Sequence, residues 1–429
     1  MRFTPVTRNL ARLLDIKQLK ILDNYAQFNP TPLSIQQFVD FGVDPNVTEG
    51  QSYHFLKKEL PVRFANVMKE MNLLPATLLQ MPSVQIIQGA YADSFRDLIE
   101  FEGNKENAET MRQYLAALVE IESRCEETVK IMAQGVLELK ESHHVDKQTE
   151  TSIQYFLDRF YMSRISLKML LNQHILLFDG THPEGTKMVG MIHRKCNVGN
   201  VIKEAFEEAA ILCEKTYTVA PELQLKIHNS VDKAKRGKVN TAPIFMSYPP
   251  RQLKFILVEL FKNSMRATVE TKGVIAIPPI EVLVAKGETD VSIKISDQGG
   301  GIPHIVTQRM FHYLYSTAPR PTMRPTDMAA LAGYGYGLPM SKLYARYFHG
   351  DLIVNSLDGY GTDAIVYLKT NPSHAGEMLP IFNKTSSKNY KASVPTADWT
   401  DPTSDMNSAL HYRFGHWSGS KKHQTGDNT

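Results

Sequence analysis

Glu259 and Asn263 stand four residues apart in the run Glu259-Leu-Phe-Lys-Asn263, so a helix would set a carboxylate and a carboxamide on one face. The carboxylate can take a proton from an attacking hydroxyl, and the carboxamide oxygen suits Mg²⁺, which prefers oxygen ligands and keeps several waters. Lys262 and Arg266 share that face, while Leu253, Ile256, Leu257, Leu260 and Phe261 form an apolar stripe opposite. Further along, Asp297-Gln-Gly-Gly-Gly301 puts an acid at a strand end, ahead of glycines that let a ligand approach the backbone. A carboxylate there can accept the exocyclic amino group of adenine through a charge-assisted hydrogen bond. Tyr315-Ser-Thr317 leads towards Gly333-Tyr-Gly-Tyr-Gly337 and Leu338, a glycine-alternating lid whose N–H groups can meet phosphates at a helix start. Ser316 and Thr317 offer hydroxyls to the same nucleotide. Taken singly, these motifs have plainer readings: a solvated helix face, an Asp-Gly turn, a flexible linker. Taken in order, and followed by Gly361-Thr362 on a later strand, they read as an ATP site.

These residues need a sheet and helices to position them. Strand-like runs occur at Leu223–His228, Ile280–Ala285 and Val291–Ser296, the last two joined as a hairpin through Lys286–Asp290. A second hairpin is expected from Asp351 to Lys369, turning at Asp358-Gly-Tyr-Gly361, with helical patterns around Arg251–Thr271 and Leu338–Phe348. The expectation for this half is a two-layer α/β sandwich. Before it, from Ile16 to Asp179, apolar spacings are helical, and Leu115, Leu118, Ile121, Cys125, Val129 and Met132 predict one long helix from Asn107 to His143. Gln154 to Phe178 is another, and the set suggests a four-helix-type bundle. The texture changes near Gly180-Thr-His-Pro183, and a polar tail, extended or disordered by itself, follows Pro372. The expected divisions are a possible targeting segment at 1–14, a helical regulatory domain at 15–183, an α/β ATP-binding domain at 184–372 and a tail at 373–429.

Bulk properties narrow the classes. A net charge of +3 is too small to argue for nucleic acid, and no apolar run approaches a membrane span. The three cysteines, Cys125, Cys196 and Cys213, lack metal-ligand spacing and suggest a reducing compartment. Arg2, Arg8 and Arg12 precede the first acid, Asp15, as in an amphipathic organelle-targeting segment or an ordinary basic helix start.

The four boxes resemble the superfamily shared by gyrase, ninety-kilodalton heat-shock chaperones, mismatch-repair ATPases and bacterial histidine kinases. Within it, Glu259-Leu-Phe-Lys-Asn-Ser-Met-Arg266, Tyr315-Ser-Thr-Ala-Pro319, Gly333-Tyr-Gly-Tyr-Gly-Leu-Pro339 and Met132-Ala-Gln-Gly-Val136 resemble mitochondrial pyruvate dehydrogenase kinase, from about Ile21 to Asp401. The resemblance implies Mg-ATP-dependent phosphorylation of serines on the dehydrogenase component of the pyruvate dehydrogenase complex, by a homodimer in the mitochondrial matrix. It makes Glu259 the general base, Asn263 the Mg²⁺ ligand and Asp297 the adenine anchor. It puts Leu260, Phe261, Lys262, Ser264, Met265 and Arg266 in the nucleotide-binding run, with Lys262 and Arg266 on the phosphates. Gly333, Tyr334, Gly335, Tyr336, Gly337 and Leu338 become the phosphate lid, and Thr362 approaches the adenine side. Leu33, Phe38, Phe41 and Phe55 match a pocket for the lipoyl-lysine arm of the acyltransferase core, their plainer reading being hydrophobic core. Asp398-Trp399 matches a tail motif that docks across the dimer.

Two positions depart from the family. Where Glu122 stands the family usually has Arg, lining a pocket for pyruvate-like inhibitors with positions matching Tyr91, Ser94 and Arg164; where Cys125 stands it usually has a His that helps tune the catalytic carboxylate. Replacing a cation by Glu122 should repel a carboxylate ligand, so weak inhibition by pyruvate or dichloroacetate is expected. Cys125 also reads as core filling. Rival readings are the kinase of the branched-chain 2-oxoacid dehydrogenase, which generally lacks the Asp-Trp tail, and an ATP-driven clamp or chaperone, which would need a further domain. A histidine kinase would need a His-Glu-x-x-x-Pro segment, which is absent; His143-His144 lies in no such context.

Overall fold

The computed structural model describes residues 12–44, 48–180, 187–230, 241–307, 309–313, 315 and 335–383. Its first half is helical: α1 (Ile16–Tyr25), α2 (Ile35–Val43), α3 (Glu49–Met71), α4 (Ala76–Leu79), α5 (Pro82–Ile99), α6 (Ala108–Cys125), α7 (Thr128–Ser142) and α8 (Lys147–Phe178). The long helices α3, α5, α6, α7 and α8 pack side by side, as the apolar spacing requires. The single helix expected over Asn107–His143 is two. Carbonyls freed at the break accept hydrogen bonds: Cys125 O from Thr128 Oγ1 at 2.7 Å, and Glu126 O from Arg164 Nη2 at 2.7 Å. Side chains therefore satisfy the groups that a helix end leaves open.

The second half contains β1 (Met188–Val189), β2 (Ile192–Asn197), α9 (Val198–Tyr217), β3 (Leu223–Asn229), β4 (Phe245–Tyr248) and α10 (Pro250–Lys272). It continues through β5 (Ile280–Lys286), β6 (Asp290–Asp297), the single turn α11 (His304–Thr307), α12 (Gly337–Tyr347), β7 (Asp351–Leu357) and β8 (Gly361–Lys369). The main sheet has the order β3-β5-β6-β8-β7, with β3 and β5 parallel and the other pairs antiparallel. Both expected hairpins form. Val282, Val284, Ile293, Ile295 and Val366 are buried on one face, the period-two signature of a half-covered sheet, and α10 and α12 pack on it. A small antiparallel sheet, β1-β2-β4, and helix α9 were absent from the sequence expectations. The stripe Val198, Val201, Ile202, Ala205, Ala209 and Cys213, after an Asn197 side chain that caps the helix, carried the signal for α9.

The two halves pack against one another along α8 and α12. After a turn at residues 372–374, residues 375–383 form no helix or strand, yet they are held against the helical half. Leu33 N donates to Glu377 Oε2 at 2.9 Å, and Phe382 N to Asn66 Oδ1 at 3.2 Å. The buried Glu377 carboxylate takes two hydrogen bonds from Arg63, at 2.9 and 2.7 Å, and one from Tyr347 Oη of α12. A buried carboxylate is tolerated because it is paired and fully hydrogen-bonded.

Candidate active site

Helix α10 starts at Pro250, where a missing N–H costs nothing. Its stripe Leu253, Ile256, Leu257, Leu260, Phe261 and Met265 is buried, which turns Lys262, Asn263 and Arg266 towards a cleft of ≈ 410 Å³, open to solvent. Leu260, Phe261 and Met265 therefore belong to the core and do not line the cleft, a correction to the nucleotide-binding run. Glu259, 9% exposed, lies at the edge of that cleft. Its Oε1 takes a hydrogen bond from Lys262 Nζ at 2.7 Å. On its other side stands Gly337, the first residue of α12, where an added Cβ would come within 2.3 Å of Glu259 Oε2. Glycine is required there because the positive end of a helix comes directly against the carboxylate.

Asp297 ends β6 and is 7% exposed. Burial raises its carboxyl above the ordinary 3.8, although the Gly299 N–H, the Ser264 hydroxyl and the Thr362 N–H pull the other way. Gly299 N donates to Asp297 Oδ1 at 2.9 Å. Gly299 itself lies so close to α10 that a Cβ would sit 2.6 Å from the backbone carbon of Ala267. Thr271 Oγ1 completes the joint by donating to Gly299 O at 2.9 Å. Thr362, opposite Asp297 across the β6–β8 pair, also contacts Ser356 Oγ at 2.9 Å. The structure thus brings Glu259, Lys262, Asn263, Arg266, Asp297, Gly335, Gly337, Leu338 and Thr362 to one region. Ser264 acts on Asp297 from behind. Ser264's hydroxyl and Thr271 are residues whose roles the sequence reading missed, although Thr271 continues the cleft face of α10.

Tyr336 is a second correction. It is wholly buried against Tyr161 and Tyr313, with ring centroids 5.8 and 5.1 Å away, and borders the cavity beside Lys130 rather than the nucleotide cleft. Ser316, Thr317, Gly333, Tyr334, Asp398 and Trp399 lie outside the described residues.

Glu259 also borders a second cavity, of ≈ 180 Å³, walled by Glu126, Lys130, Arg164, Lys168 and Phe255 among others. This cavity shares Glu126, Arg164 and Lys168 with a third, of ≈ 20 Å³, which Tyr91, Glu122, Cys125 and Arg164 line. Ser94 is buried nearby, where it takes a hydrogen bond from Arg124 Nη1 at 3.2 Å. Burial pushes the Cys125 thiol up. Cys125 borders the third cavity, whereas the Glu259 carboxylate takes its hydrogen bond from Lys262. Glu122 is not a bare charge: its Oε1 pairs with Lys168 Nζ at 3.2 Å. Of the lipoyl-pocket candidates, Phe38 is core at 4% exposure, while Leu33, Phe41 and Phe55 are half-buried.

Comparison with known proteins agrees with this geometry. Residues 249–372 match the model of histidine kinase-, DNA gyrase B- and HSP90-like ATPases, and residues 32–193 match that of mitochondrial branched-chain alpha-ketoacid dehydrogenase kinase. The chain is 48% identical over 406 residues to a mitochondrial pyruvate dehydrogenase (acetyl-transferring) kinase of Drosophila melanogaster, covering 94% of this chain and 96% of that one. It is 49% identical over 401 residues to isozyme 3 of Homo sapiens, covering 92% and 96%. The chain belongs to the mitochondrial pyruvate dehydrogenase kinase family. A probable member from Caenorhabditis elegans is 47% identical over 382 residues, covering 89% of this chain and 93% of that one. The branched-chain name attaches to the helical half alone, while these relatives span nearly all of both chains.

Proposed function

We propose that this chain transfers the γ-phosphoryl group of ATP to a serine hydroxyl on the dehydrogenase component of the pyruvate dehydrogenase complex, inactivating it. The observation that carries this reading is the place of Glu259, whose carboxylate borders the nucleotide cleft and the cavity beside Lys130 and Lys168. A nucleotide on one side and a serine on the other would meet at its oxygens. Glu259 takes the serine proton as the oxygen attacks, and the adjoining α12 N-terminus and Lys262 hold the carboxylate in position. Lys262 and Arg266 neutralise phosphate charge, and Asp297 accepts the adenine amino group. Asn263 presents a neutral oxygen to the cleft, which would suit a Mg²⁺ that takes its other ligands from phosphates and water. When bound, that ion would supply further charge neutralisation. Catalysis is then positioning plus electrostatics.

The same reading places the protein in the mitochondrial matrix as a homodimer, with Asp398 and Trp399 docking on the partner. Leu33, Phe41 and Phe55 would contact a lipoyl arm, with Phe38 packed beneath them. The deciding experiment offers radiolabelled ATP to purified pyruvate and branched-chain dehydrogenase complexes in parallel. Acid-stable label on the pyruvate complex is expected. Label confined to the branched-chain complex, or phosphate release that needs no protein acceptor, would overturn the proposal.

A further inference from the structure

One wall of the nucleotide cleft leans on the helical half. Met310 and Tyr315 line the cleft from the stretch after α11, and Gly335 and Gly337 line it at the start of α12. The two stretches touch: Gly335 has φ +74°, and a Cβ there would come within 2.3 Å of Tyr315 O. Tyr313 and Tyr336, one from each stretch, pack together with ring centroids 5.1 Å apart. Both rest on Tyr161 of α8, at 5.4 and 5.8 Å. This aromatic packing leaves the polar groups around Tyr313 to be satisfied by something else.

Helix α8 satisfies them. Gln154, Asp158 and Tyr161 are spaced by four and three residues, so they share one face. The Gln154 amide bonds the backbone twice: Nε2 donates to Phe311 O at 3.3 Å, and Oε1 accepts from Tyr313 N at 3.0 Å. Tyr313 Oη donates to Asp158 Oδ1 at 2.9 Å. Burial raises the Asp158 carboxyl to about 6, against the pull of the Tyr313 hydroxyl and the Arg346 and Lys342 charges. It therefore stays ionised at neutral pH, and its bond to Tyr313 is charge-assisted. From α12, Lys342 Nζ covers the Phe311 ring, 4.1 Å from its centroid. Neither Gln154 nor Asp158 lines the cleft, so any effect on a ligand there passes through the residues they hold.

We propose that Gln154 and Asp158 are positioning residues for nucleotide binding: from the helical half they fix Phe311 and Tyr313, and so set Met310 and Tyr315 against Gly335 in the cleft wall. A wall ordered in advance spares the ligand the entropy of ordering it. Loosening these bonds lowers affinity without deleting a single contact to the ligand. The proposal rests on the reading of the cleft as a nucleotide site.

The test is isothermal titration calorimetry of the full-length chain with Mg-ADP, with a thermal scan of each variant. Tyr313→Phe keeps the ring packing and loses the hydroxyl; Asp158→Ala removes its acceptor. Each should weaken ADP about tenfold, the low end for a hydrogen bond to a charged group. The double variant should be no weaker than the weaker single, because both changes cut the same bond. Asp158→Asn keeps an oxygen for the Tyr313 hydroxyl and should restore most of the affinity. Gln154→Ala, which frees the backbone of Phe311 and Tyr313, should weaken ADP by a similar factor. Unchanged ADP affinity in Tyr313→Phe and Gln154→Ala, additive losses in the double variant, no rescue by Asp158→Asn, or a fall in Tm with affinity kept would overturn the proposal. No heat from the unaltered chain would instead overturn the nucleotide reading, and this proposal with it.

Discussion

The cleft beside Glu259 and the cavity beside Arg164 hold their charges in opposite ways. In the cleft, charged groups pair along one helix: Lys262 with Glu259 at 2.7 Å, and Arg266 with Glu270 at 3.2 Å. Such pairs are neighbours by helical geometry, and the more exposed of the two, Arg266 with Glu270, contributes little to stability. They can exchange partners when a polyanion enters. In the cavity, Arg164 is buried and its Nε is without a partner. One site is a set of paired charges around a space of ≈ 410 Å³; the other is a buried charge against one of ≈ 20 Å³.

The largest effect expected is on turnover at the cleft. Glu259→Gln should lower kcat by ~10²–10⁴ while nucleotide affinity is kept, as transfer of label and calorimetry with ADP would show. Retained turnover would remove the base from the cleft and dissolve the contrast. Next is Asp297→Asn, which should weaken ADP binding by ~1.5–3 kcal/mol. Burial raises the Asp297 carboxyl, so the acceptor form exists above that raised value and is lost as pH falls through it. ADP affinity should therefore fall on the acid side at a higher pH than an ordinary aspartate would give, and the Asn variant should lack that limb. A pH series of titrations reads both. The smallest effect belongs to the cavity. Tyr91→Phe deletes a buried hydroxyl with no partner, so it should stabilise the chain by ~1 kcal/mol, a rise in Tm of about 1–3 °C. A fall in Tm would mean that the hydroxyl is already satisfied.

How far each site could be read in advance follows from the same contrast. Glu259, Lys262, Asn263 and Arg266 were legible because helical spacing alone sets them on one face, and Asp297 because alternation along β6 delivers it to the strand end. Leu260, Phe261 and Met265 were over-included, since a motif quoted as an unbroken run ignores the period that buries every third or fourth residue. Tyr336 was misplaced because nothing in a Gly-Tyr-Gly pattern says that a ring will pack on Tyr161 of α8. The break between α6 and α7 was hidden for a related reason: the residue that caps it, Arg164, lies far along the chain on α8.

By itself, the sequence determined the order of the nucleotide boxes, the two hairpins and the face that α10 turns to the cleft, because helix and strand periods are local properties of the chain. Tertiary structure alone decided that Glu377 would pair with Arg63, that Lys168 would offset Glu122, and that Arg164 would be buried beside an unpartnered tyrosine. The physical reason is separation. Those pairings join residues brought together by the docking of one element on another, and the energy of a charge depends on the partners and the water that docking leaves around it.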